Sequence, residues 1–219
     1  MGEQKPGGRE QAAPRFDRSY WEERWSEVLR EHAAQTAQRP ASAYLTVTAG
    51  DLPPGRALDA GCGHGSEALW LAAHGWQVTA VDFSATALAQ GRSTAVALGP
   101  DVAERITWVE SDLARWSAGA SHYDLVISLY VHVAGSVEEM VSRLASGVAP
   151  GGRLLLVGHL PIDPTTGAET PAAGQIQVSV EAARRVLDPR RWEVSIAEEQ
   201  PRAQAGSGFD SVICARRRA

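Results

Sequence analysis

The sequence predicts an α/β fold, a mostly parallel sheet with helices on both faces, and three observations carry that expectation. Arg56 to Asp82 reads as strand, glycine-rich turn, helix and strand in succession. The alternation of short apolar runs with helix-spaced stretches then continues to Gly158, the pattern that parallel sheets leave in a sequence. Tyr123-Asp124-Leu125-Val126-Ile127-Ser128 is apolar almost throughout, as a strand with both faces covered must be.

Taken in order, Met1 to Pro14 is polar and rich in Gly, Gln and Pro, the composition of a disordered tail. Residues 15–219 are expected to form one domain, with no internal repeat. From Phe16 to about Ala34 a helix is expected, with Asp17 or Ser19 as its cap. Trp21, Trp25, Val28 and Leu29 fall on one face of it. Residues 40–50 read as a second helical piece, and Leu52-Pro53-Pro54-Gly55 as the loop that delivers the first strand, Arg56–Ala60. The turn Gly61-Cys62-Gly63-His64-Gly65 follows. Ser66 to His74 then places Ala68, Leu69, Leu71, Ala72 and Ala73 at helical spacing, with Gly75 as the stop. The second strand, Trp76–Val81, ends on Asp82.

Ser84 caps a helix that carries Ala87, Leu88, Ala95, Val96 and Leu98 and ends at Gly99-Pro100. Ile106–Glu110 is the third strand, followed by Ser111-Asp112-Leu113. The fourth, Tyr123–Ser128, runs into Leu129-Tyr130-Val131-His132-Val133. Ser136 begins a helix with Val137, Met140, Val141 and Leu144, which Ala149-Pro150-Gly151-Gly152 breaks before the fifth strand, Arg153–Gly158. Pro161 to Gly174 lacks core periodicity, and a loop of that length is functional or disordered in most compact domains. Ser179–Leu187 is helical. Trp192–Ala197 and Phe209–Ala215 alternate like strands, and the Gly206-Ser207-Gly208 linker allows them to pair antiparallel.

The Arg56–Asp82 unit points to a ligand that contains a nucleotide. Glycines let the chain turn tightly and let a ligand approach the main chain, and the following helix directs unpaired N–H groups back at the turn. Asp82, 21 residues after Gly61, sits where an acid accepts hydrogen bonds from ribose hydroxyls. The pattern departs from the dinucleotide fingerprint G-x-G-x-x-G, because Ser66 falls at the third glycine position. Asp59 precedes the turn and Glu67 opens the helix; carboxylates there repel a pyrophosphate and attract a cation. A ligand with an ammonium and a sulfonium suits that field. As alternatives, Glu67 only complements the helix dipole and Asp59 only bonds nearby amides.

Leu58-Asp59-Ala60-Gly61-Cys62-Gly63-His64-Gly65 resembles the first motif of class I S-adenosylmethionine-dependent methyltransferases, and Val78-Thr79-Ala80-Val81-Asp82-Phe83-Ser84 resembles their second. Asp124-Leu125-Val126-Ile127-Ser128 and Ala149 to Gly158 extend the resemblance, which covers about Phe16 to His159. It implies a Rossmann-like sheet of seven strands with an antiparallel last strand, and S-adenosylmethionine as cofactor with S-adenosylhomocysteine as product. Carried across motif by motif, it implies cofactor contacts at Asp59, Ala60, Gly61, Cys62, Gly63 and Gly65, at Asp82, Phe83 and Ser84, at Asp112 and Leu113, and at Ser128 and Leu129. Asp112 would accept from the adenine amino group. Residues 15–50 would form a helical lid that brings Trp25 or Trp21 over the cofactor, and 160–178 a substrate loop.

Methyl transfer from a sulfonium needs mainly proximity, alignment and a water-poor site. Tyr130, His132 and His159, at the carboxyl ends of the fourth and fifth strands, are the catalytic candidates: an imidazole takes a proton near neutral pH, and a phenol orients a polar acceptor. The histidines show no ligand spacing, so no metal is expected.

The net charge of −5 gives no electrostatic drive toward nucleic acid, and Ser128-Leu129-Tyr130 is not the Asn/Asp-Pro-Pro-Tyr/Phe motif of enzymes that methylate DNA or protein nitrogens. Two cysteines, Cys62 and Cys214, supply neither a disulfide framework nor zinc spacing, and with Cys62 in the turn they argue against arsenite methylation. No apolar run reaches membrane length and no signal-peptide pattern opens the chain, so a cytoplasmic location is expected. What remains is a small-molecule acceptor methylated at O, N, S or C, as in the compact bacterial methyltransferases of the tellurite-resistance and thiopurine type, from which the 161–174 loop departs. Two rival readings stand beside it. One is a protein that binds S-adenosylmethionine without methylating, as a sensor or a cofactor-assisted lyase; the other is an NAD-dependent oxidoreductase. Oligomeric state is not encoded in any of these patterns.

Overall fold

The computed structural model describes residues 17–132, 135–202 and 208–219. The expected tail, Met1 to Pro14, lies outside them, as do Phe16, Val133 and the Gly206-Ser207 part of the linker.

In chain order the elements are α1 (Arg18–Ala37), α2 (Ala43–Ala49), β1 (Arg56–Ala60), α3 (Ser66–Ala73), β2 (Gln77–Asp82), α4 (Ala85–Leu98), α5 (Pro100–Ala103), β3 (Ile106–Glu110), β4 (Tyr123–Leu129), α6 (Val137–Gly147), β5 (Val148–His159), α7 (Val180–Val186), β6 (Trp192–Pro201) and β7 (Phe209–Arg217). One seven-stranded sheet runs β3-β2-β1-β4-β5-β7-β6. β1 to β5 pair in parallel, and β7 inserts antiparallel between β5 and β6. This is the Rossmann-like methyltransferase topology.

The sheet is buried on both faces, and the strands divide their side chains at period two. Leu58, Val126, Leu154 and Leu156 point to the layer of α6 and α7. Ala57, Leu125, Ile127, Leu155 and Val157 point to the layer of α2, α3 and α4. This two-sided covering is why β4 and β5 read as unbroken apolar runs. Each fully buried Leu, Ile or Val among them contributes about 1.5–3 kcal/mol of transfer free energy.

Four local features differ from the sequence reading. α1 runs past Ala34 with a kink at His32; its cap, one of the two expected, is Asp17, whose side chain accepts the Tyr20 N–H at 3.1 Å. Pro100 opens a short extra helix, since a proline at the first helical position loses no hydrogen bond. Ala149-Pro150-Gly151-Gly152 does not end pairing; β5 already starts at Val148, and the turn residues are absorbed as an irregularity between the Tyr123 and Leu125 pairings. β6 continues to Pro201, because β7 offers it a partner along its whole length. No helix among the described residues is long and apolar enough to cross a membrane.

Candidate functional site

A cavity of about 1030 Å³ opens at the carboxyl edge of the parallel strands, where the strand order reverses between β1 and β4. Open α/β sheets bind ligands at such a crevice because two successive loops there turn to opposite faces. Each strand contributes its exit: Gly61 to His64 after β1, Asp82 and Phe83 at β2, Asp112 to Ala114 after β3, Leu129 to His132 at β4, and His159 at β5. α1 forms a wall through Trp21, Trp25 and Val28. No α1 residue is fully buried; Arg18 pairs with Glu110, and Glu22 accepts from the Thr86 amide at 3.2 Å and from the Thr86 hydroxyl.

The glycine loop spends its amides internally. Gly61 and Cys62 donate to the Val81 carbonyl at 2.8 and 3.0 Å, Gly65 donates to the Cys62 carbonyl at 2.8 Å, and Gly63 donates to Asp82 Oδ2 at 2.9 Å. Those four donors face protein acceptors, whereas a pyrophosphate cradle aims its amides at the ligand. Gly63 and Gly65 hold φ of +53° and +83°, and a Cβ on them would lie 2.7 Å from Trp25 and 2.4 Å from Trp108. The loop is thus wedged between two indoles. His64, beside them, contacts Ser66 Oγ at 2.7 Å, and burial, helped by the Arg39 charge, pushes its pKa down to about 4.

Three acids sit under the loop. Asp82 accepts Gly63 N–H on Oδ2 and Ser84 N–H on Oδ1, both at 2.9 Å, which leaves a lone pair on each oxygen. Burial pushes its carboxyl up against the pull of those amides. Asp59 is 3% exposed, and its Oδ2 has no hydrogen-bond partner among the described residues. Burial, then the Glu67 and Asp82 charges, raise the Asp59 carboxyl well above the usual range. Glu67 accepts Ser42 N–H at 3.1 Å; burial raises it too, against the Ser42 amide and the Arg39 charge. Farther along, Asp112 accepts Ala114 N–H on Oδ1 at 2.8 Å at the cavity rim.

The opposite end is lined by Tyr130, His132 and His159. The ring of His132 lies 4.6 Å from that of Trp21, and its Nε2 lies 2.5 Å from Gln175 Oε1. Burial pushes the His132 pKa down, with the Gln175 bond opposing. Tyr130 stacks on His159 with ring centroids 4.2 Å apart. Tyr130 sits at φ +60°, a region that costs a residue with a side chain about 1–2 kcal/mol. Its hydroxyl donates to Asp210 Oδ2 at 3.1 Å, and burial with the Asp210 charge holds the phenol far above its ordinary pKa. The Tyr130 hydroxyl is thus committed as a hydrogen-bond donor to Asp210.

Of the residues singled out in the sequence, Trp25, Gly61, Cys62, Gly63, Asp82, Phe83, Asp112, Leu113, Leu129, Tyr130, His132 and His159 line this one chamber. Asp59, Ala60, Gly65, Ser84 and Ser128 lie behind the lining: Ser84 is fully buried as the α4 cap, accepting Ala87 N–H at 3.1 Å, and Gly65 meets Trp108. Sequence reasoning passed over Arg39, His64, Gln175, Arg202 and Asp210. Only Asp210 left a signal there, an acid within the apolar run Phe209 to Ala215.

A family profile described as a methyltransferase domain matches residues 57–152, the stretch from β1 to the β5 turn. Probable thiol methyltransferase 2 of Arabidopsis thaliana is 30% identical over 165 residues, which cover 74% of this chain and 69% of that protein. Ribosomal RNA small subunit methyltransferase C of Chromohalobacter salexigens is 36% identical over 121 residues, 52% of this chain; the match spans only 34% of that protein's length. Magnesium protoporphyrin IX methyltransferase of Synechocystis PCC 6803, solved with bound S-adenosylhomocysteine, superposes with a TM-score of 0.63 at 24% identity, covering 92% of this chain and 97% of that one. With the sheet order, the glycine loop and the acids of β1 and β2 in place, these matches have one meaning: the chain belongs to the class I S-adenosylmethionine-dependent methyltransferases.

Proposed function

We propose that this chain transfers the methyl group of S-adenosylmethionine to a small-molecule acceptor. One observation carries the reading: a single chamber joins the acid-flanked glycine loop to a histidine pair across from it. The residues fit the cofactor. The buried, unpartnered Oδ2 of Asp59 and the carboxylate of Glu67 suit its ammonium and sulfonium, and Arg39, at the same wall, suits its carboxylate. The free lone pairs of Asp82 suit ribose hydroxyls, and Asp112 Oδ2 suits the adenine amino group, which is a donor. The bound sulfonium supplies an already activated methyl group. The protein's task is to align the acceptor, exclude water and manage any proton the acceptor sheds.

A small acceptor is favoured over RNA by charge. A net charge of −5 gives the chain no overall attraction to phosphates, and its likeness to the ribosomal RNA enzyme spans a third of that protein. The test is calorimetric titration with S-adenosylhomocysteine, with NADH as control. Micromolar binding of the first alone supports the reading, and product analysis then separates transfer from binding without turnover. Binding of NADH instead would overturn it.

A further inference from the structure

We propose that Asp210 is the positioning carboxylate of a proton-accepting pair with His159, and that the acceptor methylated here carries a weakly acidic hydroxyl of the phenol or enol type. The inference rests on the methyl-transfer reading and narrows it.

The pair follows from the sheet. Because β7 runs antiparallel beside β5, its first residues lie at the functional edge of the sheet, and His159 and Asp210 are register partners. His159 Nδ1 lies 2.9 Å from Asp210 Oδ1. Asp210 is 0% exposed, and its other oxygen accepts the hydroxyls of Tyr130 at 3.1 Å and Tyr44 at 3.3 Å. Arg202, just past β6, reaches Oδ1 through Nε at 3.4 Å and His159 Nδ1 through Nη2 at 2.9 Å. A buried carboxylate held by two phenols, a guanidinium and an imidazole is an expensive arrangement for structure alone.

Nδ1 can do only one of two things: donate to Asp210, or accept from Arg202. Donation gives the buried Oδ1 its one short hydrogen bond, which the 3.4 Å Arg202 contact does not replace. It also leaves Nε2 deprotonated, and that nitrogen has no partner among the described residues, on a ring that lines the cavity and stays 27% exposed. This is the arrangement of a base and its orienting acid.

The chemistry selects the acceptor. A carboxylate acceptor is already ionised, and an aromatic amine, unprotonated at neutral pH, attacks with its free lone pair, so neither needs a base beforehand. A thiol of pKa about 8.5 is partly ionised at neutral pH, whereas a phenol near 10 is almost wholly protonated and gains most from an imidazole. In the step, the hydroxyl proton passes to His159 Nε2 and the oxygen electron pair forms the new C–O bond to the methyl carbon. The S–C bonding pair leaves with the sulfur and cancels its charge. The imidazolium, facing Asp210, later gives the proton to water.

Two measurements test this. Long-range proton–nitrogen correlation on the ¹⁵N-labelled protein reads the His159 tautomer without any acceptor: the neutral ring should carry its proton on Nδ1, and a proton on Nε2 would overturn the pair. The second compares wild type, Asp210→Asn and His159→Gln, each first shown to fold by circular dichroism and to bind S-adenosylhomocysteine as the wild type does. The acceptors are 4-methylphenol, 4-nitrophenol and thiophenol. Both variants should lose about 10²-fold or more in kcat with 4-methylphenol, and at least tenfold less than that with 4-nitrophenol at alkaline pH, where it is ionised. An equal loss with both phenols, no loss with either, or transfer to thiophenol alone overturns the inference while the methyl-transfer reading stands. Failure of the wild type to bind S-adenosylhomocysteine overturns both.

Discussion

Oδ2 of Asp82 accepts the Gly63 N–H at 2.9 Å, so the acid that closes β2 also sets the conformation of the loop that leaves β1. The two motifs are one mechanical unit: the carboxylate proposed for the ribose also pins the turn proposed for the methionine end. Asp82→Ala is therefore expected to remove ribose bonds and loosen the loop together, weakening S-adenosylhomocysteine binding by about 1.5–3 kcal/mol or more. Calorimetry measures it, and an affinity equal to wild type would refute the ribose role.

Asp59 gives a prediction with a sign. Its carboxyl is raised by burial and by the charges of Glu67 and Asp82, so the native state keeps a proton that the unfolded chain releases above about pH 4. Stability then falls as pH rises from there, until the native carboxyl itself ionises. Asp59→Asn abolishes this loss. The variant's Tm should exceed that of the wild type at neutral pH, and the gap should close as pH drops below the unfolded aspartate value. Its affinity for S-adenosylmethionine should fall, since an arriving cation favours the ionised carboxylate in the wild type and an amide cannot ionise in response. A Tm difference independent of pH would mean that Asp59 ionises normally.

Asp112 stands at the rim with Oδ1 on the Ala114 amide and Oδ2 left for a ligand. Replacing adenine by hypoxanthine removes the amino donor, so wild type should prefer the adenosyl ligand over its inosyl analogue. Asp112→Ala should erase most of that preference, worth about 1 kcal/mol. Competition binding with the two analogues reads it, and discrimination retained in the variant would place adenine elsewhere.

Gly65 combines φ +83° with Trp108 at 2.4 Å from its would-be Cβ. Gly65→Ala should cost about 2–5 kcal/mol, the left-handed strain and the overpacking acting together. Urea unfolding would show it; a loss well below that range would mean that Trp108 swings aside freely.

How far the sequence was readable depended on the distance over which each feature is encoded. The strand–turn–helix–strand unit from Arg56 to Asp82 was legible because period, turn chemistry and chain order are all local, and Gly61, Gly63 and Asp82 meet within one supersecondary unit. The α5 turn at Pro100 and the strand through Pro150 were missed because neighbouring structure, not local preference, decided them.

By itself, then, the sequence determined the α/β class, the order of the strands along the chain and the glycine loop and acids at one end of the cavity. Only the tertiary structure decided that Gly65 and Ser84 support the site from behind, and that Tyr44, Tyr130, His159, Arg202 and Asp210 gather at its far end. The physical reason is the antiparallel insertion of β7, which puts residue 210 beside residue 159. A cluster closed by strand register between segments so far apart carries no period and no motif, and it exists only once the sheet is assembled.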